Sequence, residues 1–435
     1  MDVMTVVLLT FVVLVLYLSV GGPLPLCFGA ALMAMYYAGG INMSGLLMQG
    51  MYEITNPVML SIPLFIVAGL IMGESGIAKS LLDFVNMWVG RKKGGLGVVT
   101  VLTCAVLAAI SGSALTGIAA IGPIIIPRMV EEGYPRGYAT GLVTISSVLG
   151  PIIPPSITLI LYGYVTDTSI LACFMATLVP GLVIAGILSV VNLKWAKKFD
   201  LKLTEVIENR KEKRKAILSS TFSAIPALMF PVIIIGGIYG GIMTTSEAAA
   251  VSVIYAMMTG FFIYRGLRIN NFIQASLDAG ASVASIMLMI MLCLVLGQTL
   301  TVMGVPQAVS EALLNISSNK YVFLLLVNIL FLILGMLVTD AVSVLIAIPL
   351  LFPAAMAFGI DPVHFGAIVA INCSMGVVTP PYCSALYLGV RIGNSTFVDV
   401  LKPTMVFFFI AYVPVLILVT YIPQLSLFLP RLLGL

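Results

Sequence analysis

Gly150-Pro151-Ile152-Ile153-Pro154-Pro155 and Gly376-Val377-Val378-Thr379-Pro380-Pro381 stand in the middle of two long apolar stretches, about 138–163 and 364–389. Proline removes a backbone donor and clashes with the preceding helical turn, so each stretch predicts a helix broken midway. Unpaired backbone at membrane depth is tolerated only where it lines a cavity or binds something. Two matching breaks in one chain point to a site near the bilayer midplane.

The surrounding composition requires a membrane. The chain has 435 residues, 61% hydrophobic and 9% charged, with a mean hydropathy of +1.17. That leaves too little polar surface for a soluble protein of this length. Apolar runs of about 20 residues predict spans near 3–20, 24–40, 57–75, 170–194, 219–241, 245–264, 280–303 and 402–424. The first run lacks a basic leader and a small-residue cleavage site, so it reads as a retained helix. Residues 96–130 and 321–358 are apolar but interrupted by Ser111-Gly112-Ser113 and by Thr339-Asp340. A polar tip between two half-length apolar arms predicts a re-entrant helical hairpin in the lipid bilayer.

Pro123 and Pro349 are 226 residues apart, and so are Pro127 and Pro353, Gly133 and Gly359, Gly150 and Gly376, Pro154 and Pro380, Pro155 and Pro381, and Gly163 and Gly389. One gapless offset therefore relates hairpin and broken helix in two repeats, and places Ser113 on Thr339. Nine basic residues lie between Lys194 and Lys215. This cluster is a topology signal that places the loop in the cytoplasm, rather than a nucleic-acid site. Counting spans outward, the first hairpin, flanked by Arg91-Lys92-Lys93, Arg128 and Arg136, opens to the cytoplasm. The second opens on the other face, and both termini lie outside. The fold class expected is an all-α polytopic membrane protein with inverted-topology repeats.

The boundaries follow from these elements: N-terminal helices at 1–56, a first repeat at 57–195, the basic loop at 196–218, further helices at 219–270, a second repeat at 271–425 and a tail at 426–435. Residues 76–90 and 305–320 are amphipathic and predict helices along the interface beside each hairpin.

At each break the half-helix N-termini carry partial positive charge and suit an anion, while C-terminal carbonyls suit a cation. A hard cation takes oxygen ligands, which Ser111, Gly112, Ser113, Thr339 and Asp340 supply beside the breaks at Gly150 and Gly376. Asp340 has two compatible readings, cation coordination at membrane depth and capping of the returning helix. Ser156 and Tyr382, after the two Pro-Pro pairs, are candidates for substrate contact. Glu247 reads as a helix-capping residue and His364 as an interfacial or core residue. The six cysteines lack Cys-x-x-Cys spacing and read as buried thiols. Ser113 has no neighbouring base, so an enzyme is not expected. A channel would need a continuous pore, which sealed hairpin tips oppose.

The ordered set Ser111-Gly112-Ser113-Ala114, Gly150-Pro151-Ile152-Ile153-Pro154-Pro155-Ser156, Tyr162-Gly163, Pro180-Gly181, Ser246-Glu247-Ala248, Asp340 and Thr379-Pro380-Pro381 resembles the large membrane subunit of TRAP transporters. The resemblance covers nearly the whole chain. Thr245, where the family usually has Pro, and Tyr382-Cys383 depart from the pattern. The resemblance implies sodium-coupled import of a small carboxylate across the bacterial inner membrane by an elevator movement of a transport domain against a scaffold. It implies two partner chains, a small membrane subunit and a periplasmic substrate-binding protein, and no organic cofactor. Carried over, Ser111, Gly112, Ser113 and Gly150 would hold one sodium ion. Thr339, Asp340, Gly376 and Thr379 would hold another. The substrate would lie between them, near Ser113, Pro154, Pro155, Ser156, Pro380, Pro381 and Tyr382. A stand-alone sodium/dicarboxylate symporter with similar hairpins is the nearest alternative.

Overall fold

The computed structural model describes residues 3–90, 93–202, 210–316, 319–381 and 383–435. Arg91, Lys92, residues 203–209 of the basic loop and Tyr382 lie outside them. The described residues form helices and turns, and nine of these helices are long and apolar enough to cross a membrane.

The amino-terminal part comprises α1 (Val3–Ser19), α2 (Leu24–Gly39), α3 (Met43–Ile54), α4 (Pro57–Glu74) and α5 (Ile77–Val89). At 17 and 16 residues, α1 and α2 agree to within one residue with the runs expected at 3–20 and 24–40, and each is about 25 Å long at 1.5 Å per residue. They pack against each other as a helical pair. α3 begins at Asn42, whose side chain accepts from the Ser44 amide. α5 is the amphipathic helix expected beside the first hairpin, with Ile77, Ala78, Leu81, Leu82 and Val85 buried on one face.

The first hairpin is α6 (Gly95–Ser111) and α7 (Ala114–Glu131), followed by a broken helix, α8 (Arg136–Ser147) and α9 (Ile157–Thr166), and then α10 (Ile170–Ala196). α11 (Arg210–Tyr239), α12 (Thr245–Met258) and α13 (Ile269–Val302) follow. At 34 residues, or about 50 Å, α13 begins well before the apolar span expected at 280. Its first turns are polar and extend past the apolar window. Thr244 caps α12 and forms a capping box with Glu247, so the carboxylate accepts from the Thr244 amide at 2.7 Å.

α14 (Val305–Ile316) precedes the second hairpin, α15 (Lys320–Leu337) and α16 (Asp340–Ala357), and the second broken helix, α17 (Pro362–Gly376) and α18 (Ser384–Gly393). α19 (Phe397–Phe407) passes through a π-helical turn, Phe408–Tyr412, into α20 (Val413–Tyr421). Pro414, near the start of α20, lacks the amide that would keep the α-helical ladder in register there. α21 (Gln424–Leu432) closes the chain, where the sequence suggested only a tail.

The 226-residue offset carries α7 onto α16 bound for bound, since 340 − 114 and 357 − 131 are both 226. The two copies run in opposite senses. Arg136, at the start of the first broken helix, donates to the Gly393 carbonyl at the end of the second, 3.3 Å away. At the other end Tyr162 donates to the Pro362 carbonyl at 2.6 Å. The hairpins are exchanged in the same way, α7 packing on α18 and α16 on α9. The repeats are therefore inverted. The arms, 17 and 18 residues long, exceed the half-length expected, yet each hairpin turns at the level of a break.

Candidate functional site

The first tip meets the first break through two glycines. Gly112 has φ +61, and a Cβ there would lie 2.6 Å from the Pro155 carbonyl oxygen. Gly150 lies against the Ser113 carbonyl, where a Cβ would come within 2.9 Å of the oxygen. At Gly112 only glycine tolerates both the left-handed backbone and the close approach. The Ser111 hydroxyl donates to the Ser113 carbonyl at 3.4 Å, so oxygen atoms gather where the turn meets the broken backbone.

In the second repeat a Cβ on Gly376 would fall 2.3 Å from the Gly335 Cα. The last turn of α15 thus lies directly on the break. Thr339 occupies the N-cap position of α16, with Asp340 as its first helical residue. The Thr339 hydroxyl is buried without a hydrogen-bond partner. The Asp340 carboxylate accepts from the Thr158 hydroxyl at 2.8 Å, a contact between α9 and α16 that spans 182 residues of sequence. The offset places Ala114 at the Asp340 position, so the two repeats share backbone geometry but differ in charge.

Both tips open on one cavity of about 560 Å³. Ala114, Ile157, Asp340 and Ser384 line it, and each is the first residue of its helix. Four helix N-termini therefore face a single space, and each favours negative charge. Among the described lining residues there is no Lys, Arg or His, and Asp340 is the one charged side chain. The opposite wall comes from Gly22 and Pro23 in the α1–α2 turn, and from Ser285 and Met289 of α13.

Of the residues singled out in the sequence, Gly112, Ser113, Thr339 and Asp340 line the cavity. Ser111, Gly150 and Gly376 lie behind the tips, where the glycines permit close packing. The Thr379 hydroxyl donates to the Met375 carbonyl within its own turn. Pro154, Pro155 and Ser156 are buried behind Ile157. The Ser156 hydroxyl donates to the Pro151 carbonyl at 2.5 Å and accepts from the Leu159 amide, capping α9. Pro380 is half-buried and Pro381 exposed, and neither lines the cavity. Thr158, Ser285, Ser384 and the α1–α2 turn were not legible as site residues, because tertiary packing brings them there. Glu247 serves its cap, and His364 is buried against Ser426.

Comparison with known proteins agrees with this architecture. Residues 7–425 match the family described as the tripartite ATP-independent periplasmic transporter, DctM component. The C4-dicarboxylate TRAP transporter large permease protein DctM of Pseudomonas aeruginosa is 36% identical over 86% of this chain and 87% of its own length. The sialic acid TRAP transporter large permease protein SiaM of Vibrio cholerae is 37% identical, covering 90% of each. The isethionate TRAP transporter permease protein DctMQ of Oleidesulfovibrio alaskensis is 33% identical over 95% of this chain, which spans 64% of that longer protein. The crystal structure of the Alcanivorax borkumensis YdaH transporter shares the fold, with a TM-score of 0.55 at 16% identity, covering 85% of this chain and 88% of that one. The chain belongs to the DctM component family of tripartite ATP-independent periplasmic transporters.

Proposed function

We propose that this chain imports a small carboxylate-bearing organic acid across the bacterial inner membrane, coupled to sodium. The observation that carries the reading is the cavity, four helix N-termini around a single carboxylate. The N-termini attract an anion, while Asp340 repels it. At roughly 5 Å and an effective dielectric constant of about 20, the repulsion is about 3 kcal/mol, roughly a hundredfold in affinity. A cation held by Asp340, the Thr339 hydroxyl and nearby backbone carbonyls removes that penalty, so ion and anion bind together. Sodium suits such an all-oxygen set. The first tip, with the Ser113 and Pro155 carbonyls, offers a second set of oxygens. The names of the relatives support an organic-anion substrate: a C4-dicarboxylate, sialic acid and isethionate.

An elevator movement fits the arrangement of the walls. Tips and breaks form one wall and the α1–α2 turn with α13 the other, so sliding of the first against the second would carry the cavity across the membrane. α3 packs on α13, so the hydrogen bond from Tyr164 on α9 to the Glu53 carboxylate on α3 joins the two groups and would open in such a movement. A small membrane subunit and a periplasmic binding protein are the partners that the family relationship brings to this chain.

Binding of a coupling ion to the folded state raises its apparent stability by mass action. The purified chain is expected to unfold at a higher temperature in sodium than in potassium at equal ionic strength. Equal midpoints across the titration would count against sodium as the coupling ion.

A further inference from the structure

A second cavity, of about 240 Å³, lies where α15 and α17 begin and α20 ends. Its lining includes Lys320, Tyr321, Asp361, His364, Tyr421 and Arg431. Neither Lys320 nor Arg431 forms an ion pair among the described residues, so two cationic side chains border the space together with the Asp361 carboxylate.

His364 contributes ring nitrogens to the same space. Its Nδ1 lies 2.8 Å from the Ser426 hydroxyl, which also lies 3.0 Å from the Pro423 carbonyl. A carbonyl only accepts, so the Ser426 proton goes to Pro423 and its oxygen accepts from Nδ1–H. The ring presents Nε2, buried and without a hydrogen-bond partner, beside Thr420 of the cavity lining; His364 is only 3% exposed. Asp361 accepts from the Val363 and His364 amides through Oδ1, leaving Oδ2 to take a further donor. The pocket therefore offers cations for an anionic group and two acceptors for a hydrogen-bond donor.

The surroundings say where such a ligand comes from. The Tyr162–Pro362 contact puts the start of α10 at this end of the bundle. α10 then runs 27 residues away to the basic segment at Lys194–Lys202. The pocket thus lies at the end opposite the basic loop, in the outer leaflet on the topology expected from charge. The Tyr321 and Tyr421 rings, 5.9 Å apart, stand at its mouth, the position tyrosines favour at a headgroup boundary. Below Tyr321, Leu325 (49% exposed), Ile329 (49%) and Ile333 (45%) continue at four-residue spacing down the outer face of α15. That stripe is an apolar track leading away from the polar pocket.

We propose that this pocket binds a phospholipid headgroup whose phosphate is followed by a hydrogen-bond-donating alcohol or ammonium. Lys320 and Arg431 take the phosphate, His364 Nε2 and Asp361 Oδ2 take the donor, and an acyl chain follows the Leu325–Ile333 face. A choline headgroup, which has no donor, leaves both acceptors unmatched.

The test uses the delipidated full chain in detergent, with short-chain phospholipids added at equal concentration while thermal unfolding is followed. Phosphatidylglycerol and phosphatidylethanolamine are expected to raise the midpoint, and phosphatidylcholine to leave it near the lipid-free value. Lys320→Gln and Arg431→Gln, both at exposed positions, should fold with an unchanged lipid-free midpoint, and the double variant should lose the lipid response. An equal response to phosphatidylcholine, an equal response to inorganic phosphate, or an undiminished response in the double variant overturns the proposal. None of these outcomes depends on the coupling ion, so failure here leaves the transport reading intact.

Discussion

Asp340→Ala is expected to reduce sodium-dependent uptake to background while the protein still inserts and folds. The substitution removes the one charged side chain described in the cavity and leaves the Thr158 hydroxyl without its acceptor. A single lost hydrogen bond costs about 1 kcal/mol, too little to unfold a bundle of this size. Loss of the carboxylate has a larger functional effect, because nothing then ties anion binding to a cation. Asp340→Asn separates the two roles, since it keeps an acceptor for Thr158 and removes the charge. Uptake measured across a sodium titration should fail in both variants. Normal sodium dependence in Asp340→Asn would reduce the residue to a helix-start hydrogen-bonding group.

Gly112→Leu should stop transport through geometry rather than charge. A side chain at φ +61 is strained by about 1–2 kcal/mol, and its Cβ would lie 2.6 Å from a backbone oxygen that cannot swing away. The tip must lift from the break, scattering the oxygens around Ser113 and Pro155. Gly186 has open space around its Cβ position, so Gly186→Leu is the matched control and should transport. A monodisperse Gly112→Leu protein without uptake is the expected pair of results. Wild-type uptake by that variant would remove the first tip from the site.

The repeat was legible because glycine and proline act locally. A 226-residue offset read from Pro123, Gly150 and their partners reappears in helix bounds that agree residue for residue between α7 and α16. The tips were legible for the same reason, since Ser111-Gly112-Ser113 and Thr339-Asp340 interrupt otherwise apolar runs. Short and polar elements were harder to see. α3, α21 and the first turns of α13 are polar or short, and no apolar window of membrane length registers them. The cavity's other residues depend on tertiary packing. Thr158 reads as one hydroxyl in an apolar helix until α16 brings Asp340 to it, and the α1–α2 turn reads as a connection between spans. The second cavity was hidden in the same way, because His364 and Ser426 are 62 residues apart.

The coupling claim rests on one quantity, accumulation of substrate against its own gradient. The chain, reconstituted in proteoliposomes with its small subunit and a loaded binding protein, should concentrate the organic acid above the external level when sodium is high outside. It should show no accumulation when potassium replaces sodium. Accumulation that persists in sodium-free buffer under a proton gradient would contradict the account and transfer the role of Asp340 to proton binding.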